Sequence, residues 1–193
     1  MAKLVSSRGA ELLLSRNRKN FFSLDRDLAS PNDELTPRGL AIDDESAEAR
    51  PDGIELGTPE IVKLIEQALN GKLHATFSLR LGDSAYYLPT TEEVSQILSS
   101  TRRERRSWVA ERYDCDDFAY VLKAFASSVA YINNELKLGL CCGIIWGKFE
   151  WLDEFHACNW FITSDKTFNL IEPQDEKIYP PEKCRGNVTF IAA

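Results

Sequence analysis

The apolar pattern changes period near residue 137, and no other feature of the sequence restricts the fold as much. Up to that point Phe118, Val121, Leu122, Phe125, Val129 and Ile132 recur at helical spacing, along a segment from the Asp114 region to about Leu136. Beyond it four runs, "LCCGIIWG", "HACNWFIT", "TFNLIEP" and "NVTFIAA", alternate with the period of two of half-buried strands. Two earlier segments also carry helix signals. "GTPEIVKLIEQALNGK" offers Thr58 as N-cap, Pro59 as first helical residue and Gly71 as stop, and "TTEEVSQILSS" is a second capped helix. "HATFSLRL" and "SAYYLP" read as short strands. Helices first and an antiparallel C-terminal sheet afterwards define an α+β domain.

That domain has a start. Residues 31–55 hold eight acids against two arginines, with Pro31, Pro37 and Pro51, and few large apolar residues. The stretch reads as a flexible acidic linker. Ahead of it lies a basic arm with Lys3, Arg8, Arg16, Arg18 and Lys19 against Glu11. The expected organisation is arm and linker over 1–55 and one folded domain over 56–193.

At a formal net charge of −7 the chain is a poor nucleic-acid binder; its one cationic run, "RRERR" at 102–106, reads as a solvated helix end. The longest apolar run, "LGLCCGIIWG", is too short to span a bilayer, and "ELLL" at 11–14 is too short for a signal-peptide core. These absences favour the cytoplasm. Five cysteines without a CxxC pair argue for free thiols rather than a disulfide framework, and the two histidines lack zinc-finger spacing.

One of those cysteines has unusual neighbours. In "ERYDCDDFAY", Cys115 follows Asp114, an N-cap, and precedes Asp116 and Asp117; Asp117 has capping-box spacing. The cysteine therefore falls in the first helical turn, where the helix dipole favours a thiolate. Downstream, "FHACNW" alternates His156, Cys158 and Trp160 against Ala157, Asn159 and Phe161, and "LIEPQ" puts Glu172 in an otherwise apolar strand. A helix-start cysteine, a strand histidine and a strand acid, in that order, suit a thiol activated by a base that an acid orients. An inert capped helix with a core histidine is the plain alternative.

Trp108, "YDCDDFA", "HACNW" and "EPQ" together resemble the protease domain of the fairy-ring mushroom agglutinin and its relatives, over approximately residues 58–193. The resemblance implies a papain-like/transglutaminase-like fold, with the nucleophile at a helix start packed on the C-terminal sheet. It implies a calcium-dependent cysteine protease in which Cys115 is nucleophile, His156 base and Glu172 orienter, with Trp108 and Gln174 lining the site. Val109 stands where papain has its oxyanion glutamine, so the Trp108 indole is one candidate donor beside the Cys115 amide. The sequence lacks the fungal protein's sugar-binding trefoil.

Calcium would also answer the local charge problem. Bare carboxylates beside Cys115 oppose its ionisation, and a hard cation held by Asp116 and Asp117, with Asp153 and Glu154 from "WLDEFH", would cancel them. The expected function is hydrolysis of a peptide or protein substrate through a Cys-His-Glu triad. Two alternatives use the same residues: an acyl transferase or amidase, and a catalytically idle binding module. Any version needs His156 and Glu172 on one sheet face. A three-residue loop, Ser164 to Lys166, pairing Thr163 with Thr167, gives that register and sets Gln174 opposite His156; a two-residue Asp165-Lys166 turn gives the opposite one and is disfavoured, because lysine resists the positive φ it requires.

Overall fold

A computed structural model describes residues 52–101 and 107–193. The arm, the linker up to residue 51 and the arginine run at 102–106 lie outside the described residues. Strand β1 (Ile54–Gly57) leads into helix α1 (Thr58–Ala68), followed by β2 (Leu73–Arg80), β3 (Ala85–Leu88) and α2 (Thr91–Thr101). Then come α3 (Cys115–Ile132), β4 (Cys142–Phe149), β5 (Leu152–Ile162), β6 (Phe168–Glu172), β7 (Lys177–Tyr179), a short 3-10 turn (Pro181–Lys183) and β8 (Cys184–Ala192). Among the described residues no helix is long and apolar enough to cross a membrane.

Capping residues set the helix starts. α1 begins one residue earlier than its Pro signal suggests, with Gly57 as N-cap and the Thr58 hydroxyl donating instead to the Asp83 carbonyl at 2.6 Å. At α2 the Glu93 amide donates to the Thr90 hydroxyl at 3.2 Å and the Thr90 amide to Glu93 Oε2 at 2.7 Å. α3 carries the Asp114–Asp117 capping box that its sequence spells, and it ends at Ile132, short of Leu136.

The expected purely antiparallel, papain-like arrangement needs correction. The main sheet is mixed, with strand order β2-β8-β4-β5-β6-β7, and β2 runs parallel to β8. A strand that precedes all but one of the helices thus closes one edge, so the chain does not divide into helices first and sheet afterwards. A separate β1–β3 pair completes the strands.

The sheet is covered on both faces, and residue parity decides what faces where. Cys158, Trp160 and Ile162 of β5 join Ile145, Phe149, Leu170 and the α1 residues Ile61, Ile65 and Leu69 in one core. Phe161, Cys142 and Ile171 point the other way, against Val94, Ile97 and Leu98 of α2 and Leu122, Ala126 and Val129 of α3. Adjacent Cys141 and Cys142 divide between the two cores, and all five cysteines are free.

The β5–β6 hairpin takes the three-residue loop. Ile162 pairs Phe168 and Asn159 pairs Ile171, while the Thr163 amide donates to the Thr167 carbonyl at 3.0 Å. Lys166 occupies the left-handed position with φ 64°, as a type I turn followed by an αL residue requires. Asp165 steadies the turn by accepting from the Thr163 hydroxyl at 2.7 Å and the Thr167 amide at 3.1 Å.

Candidate functional site

His156 and Glu172 meet. The hairpin register places Glu172 one pair beyond the Asn159–Ile171 rung, opposite Cys158 and diagonal to His156 on the same face. His156 Nε2 lies 2.7 Å from Glu172 Oε2, with side-chain exposures of 4% and 6%. A buried carboxylate needs donors, and Glu172 has two more. The Trp151 indole N–H reaches Oε2 at 2.9 Å, and the Gln174 amide reaches Oε1 at 3.2 Å.

Cys115 approaches the same strand differently. Its thiol packs with Ala119, Ile144, Ala157 and Trp146 in a small cluster under the start of α3. It therefore meets β5 at Ala157, one residue along from His156, whose ring keeps to the side of Phe149 (centroids 6.3 Å apart) and Glu172. Among the described residues no hydrogen bond joins thiol and imidazole. Burial pushes the thiol above its ordinary range and the charges of Asp114 and Asp116 push it further; the Ala157 and Asp116 backbone bonds oppose this without reversing it. The thiolate is thus disfavoured, despite the helix dipole.

The remaining candidates divide. Trp108 sits on the loop before α3 and is 55% exposed. Gln174 contributes its backbone amide; β6 ends at Glu172, so the ladder stops short of a Gln174–His156 pair. Asn159 is buried on the α3 side, where its Nδ2 donates to the Ala119 carbonyl at 2.9 Å and the Gly143 carbonyl at 3.1 Å, tying helix to sheet.

Of the acids assigned to calcium, Asp117 is engaged as the capping-box acceptor of the Asp114 amide at 3.2 Å. Asp153 faces Arg185 at 3.3 Å, Glu154 is exposed, and neither joins Asp116. The group within common ligating reach is Asp114, Cys115 and Asp116, their ligand atoms within 4.8 Å of one another. Asp116's carboxyl is held above its usual range, first by its hydrogen bond with the Asp114 side chain, then by burial and Asp114's charge. These donors fit calcium only in part: two carboxylates are hard oxygen ligands, the thiol is not, and water would fill the remaining positions.

Sequence reasoning missed Trp151, in the β4–β5 turn. Its signal was present in "EWLDEF", an indole between a strand end and the histidine strand.

Residues 86–178 match the model of a family described as "Agglutinin C-terminal". No curated protein matches the chain. Among solved structures, the "PSL1a-E64 complex" aligns with a TM-score of 0.62 at 23% identity, over 72% of this chain and 50% of that one. Polyporus squamosus lectin, bound to the human-type influenza-binding epitope Neu5Aca2-6Galb1-4GlcNAc, aligns with a TM-score of 0.56 at 24% identity, over 72% and 49%. The chain thus spans about half the length of the structures it matches, and at these identities the likeness shows the fold alone.

These findings correct the earlier expectations. The fold supported is the lectin-like one of these structures, a six-stranded mixed sheet with three helices, in place of a papain-like one. The matched names are those of agglutinins and lectins, so the assignment as a papain-like thiol protease is withdrawn, and with it the peptide substrate.

Proposed function

We propose that this chain is a ligand-binding module of agglutinin type, which binds without turnover, and that Cys115, His156 and Glu172 belong to its ligand site. The observation that carries this reading is the division just described: a thiol placed at the Ala157 amide, its ionisation opposed by burial, beside an imidazole engaged by Glu172. Such a set offers hydrogen-bonding groups, the thiol half-buried and the imidazole and carboxylate buried. Carbohydrate is the ligand class, on the strength of the glycan carried by the matched lectin. E64 is the second ligand to try, on the strength of the other matched complex. Five unpaired thiols suit a reducing compartment, which is the proposed location.

The test uses the full chain on a glycan array that includes Neu5Aca2-6Galb1-4GlcNAc, with E64 titrated in parallel and its site read by intact mass and peptide mapping. Glycan binding, or reversible E64 binding, that is lost in His156→Ala supports the reading, while a covalent E64 adduct on Cys115 at pH 7 defeats it, because opening the epoxide takes a thiolate. Neither ligand binding, or binding indifferent to Cys115→Ala and His156→Ala alike, defeats it.

Calcium belongs to the same proposal, with Asp114 and Asp116 as its protein ligands in place of the larger set. Its charge would take over from the hydrogen bond the two carboxyls share. Calcium should then raise the Tm of the chain and speed alkylation of Cys115 together. A calcium titration that changes neither leaves the aspartates as helix caps.

A further inference from the structure

Trp151 is held by two stacked rings. It stacks on Tyr179 with centroids 4.1 Å apart and planes 7° apart, and on Phe149 at 4.8 Å and 18°. Two stacking partners fix the plane of the indole and the direction of its N–H. That N–H ends on Glu172 Oε2, the same oxygen that faces His156 Nε2. An ionised carboxylate only accepts, so in the neutral ring the shared contact places the imidazole proton on Nε2 and leaves Nδ1 an acceptor. The Gln174 amide on Oε1 holds the other end of the carboxylate.

We infer that Trp151 is a positioning residue of this site: its clamped indole N–H holds the Glu172 carboxylate where it engages Nε2, and so fixes His156 in the tautomer whose Nδ1 accepts. The inference rests on the reading of His156 as part of a ligand site, and it names the ligand feature that the site selects, a hydrogen-bond donor such as a sugar hydroxyl. A packing role alone does not need the N–H. Phenylalanine fills the same stack with no donor, and Glu172, held then only through Oε1 by the Gln174 amide, can swing Oε2 away and release Nε2.

The deciding measurement is the tautomer of His156, read from long-range proton–nitrogen correlations of histidine-labelled chain. Exposed His74 is the internal reference, its Nδ1 accepting from the Thr76 amide at 3.2 Å. The expected result is a single Nε2–H form in the parent and a mixture of both forms in Trp151→Phe, with His74 unchanged. A variant that keeps the single form overturns the inference. Should Trp151→Phe fail to fold, Glu172→Gln reads the contact from its other end. The Trp151 indole proton, downfield in the parent, should move part of the way upfield as its charged acceptor becomes a neutral carbonyl, and a proton that stays put overturns the inference equally. E64 and glycan titrations of the same samples separate the two readings. A tautomer shift without ligand binding by the parent removes the ligand site and leaves the positioning role; ligand binding with an unchanged tautomer does the reverse.

Discussion

Replacing Glu172 tests how much of the domain's stability passes through one carboxylate. In Glu172→Ala three donors lose their acceptor: His156 Nε2, Trp151 Nε1 and the Gln174 amide. Stranding a buried donor costs about 1–3 kcal/mol. The imidazole, at 4% exposure, sits at the high end and the two part-buried donors at the low end. The sum is roughly 3–5 kcal/mol, the range for removing one partner of a buried pair. At about 3–4 °C per kcal/mol for a domain of this size, the Tm should fall roughly 10–20 °C. Glu172→Gln is milder. Its carbonyl oxygen can take the place of Oε2 and keep both ring donors, so that only the Gln174 amide faces a donor, for about 1–2 kcal/mol. Urea and thermal unfolding of the three chains at pH 7 give the comparison. An alanine variant within about 3 °C of the parent, or a glutamine variant less stable than the alanine one, would refute the account of Glu172 as the shared acceptor.

Glu93 is buried and its carboxyl is raised, chiefly by that burial, against the hydrogen bonds from Thr90 and Tyr87. A raised carboxylate favours folding below its unfolded value and loses that contribution as pH rises through its folded value. The parent should therefore lose stability relative to Glu93→Gln as pH climbs from 4 to 7, in paired urea titrations; parallel curves would contradict this. Iodoacetamide should label Cys115 slowly at pH 7 and faster as pH rises, with Asp114→Asn and Asp116→Asn both speeding the reaction at pH 8, followed by mass spectrometry. Buried Cys141, Cys142, Cys158 and Cys184 should stay unlabelled until the chain unfolds. Lys166→Gly should raise stability by about 1 kcal/mol in urea, since φ 64° strains any residue with a Cβ. A chain beginning at Asp52 should melt with the parent, while one beginning at Leu56 should lose about 1 kcal/mol or more, because it lacks the Gly53 amide bond to the Tyr87 hydroxyl and half of β1.

Much of this was legible where the code is local. The Asp114–Asp117 capping box, the strand period after residue 140 and the faces of β5 follow from spacing alone. The hairpin loop followed too, but for a reason that needs amending. A two-residue turn was disfavoured because lysine resists positive φ, yet Lys166 takes φ 64° in the longer loop. What excludes the shorter turn is that type I′ demands two such residues, whereas the three-residue loop demands one and gives Asp165 a place to brace it. The parallel partnership of β2 with β8 was not legible, since it joins residues more than a hundred positions apart and no turn signal announces it.

What the sequence left open is which face of the sheet receives α3. Parity assigns His156, Cys158, Trp160 and Ile162 to one side of β5 and Ala157, Asn159 and Phe161 to the other, but it does not say which side a helix will take. The choice follows from volume. The side with Trp160 and Ile162 is filled by α1 and the bulky residues of β4 and β6, while small Ala157 and Ile144 leave room for the first turn of α3 to come close at Ala119. Asn159 then fastens that approach through the Ala119 carbonyl. Once α3 lies on the alanine side, its first residue reaches the strand at Ala157 and the imidazole is left to Glu172 and Phe149. An Ala157→Val substitution tests the argument: two added methyl carbons beside Ala119 should push the start of α3 outward, cost about 1–3 kcal/mol through overpacking, and leave the His156–Glu172 contact intact. If Ala157→Val is neutral in stability, or if it disturbs the histidine resonances more than those of Cys115 and Ala119, then close packing at Ala157 is not what sets the helix on that face.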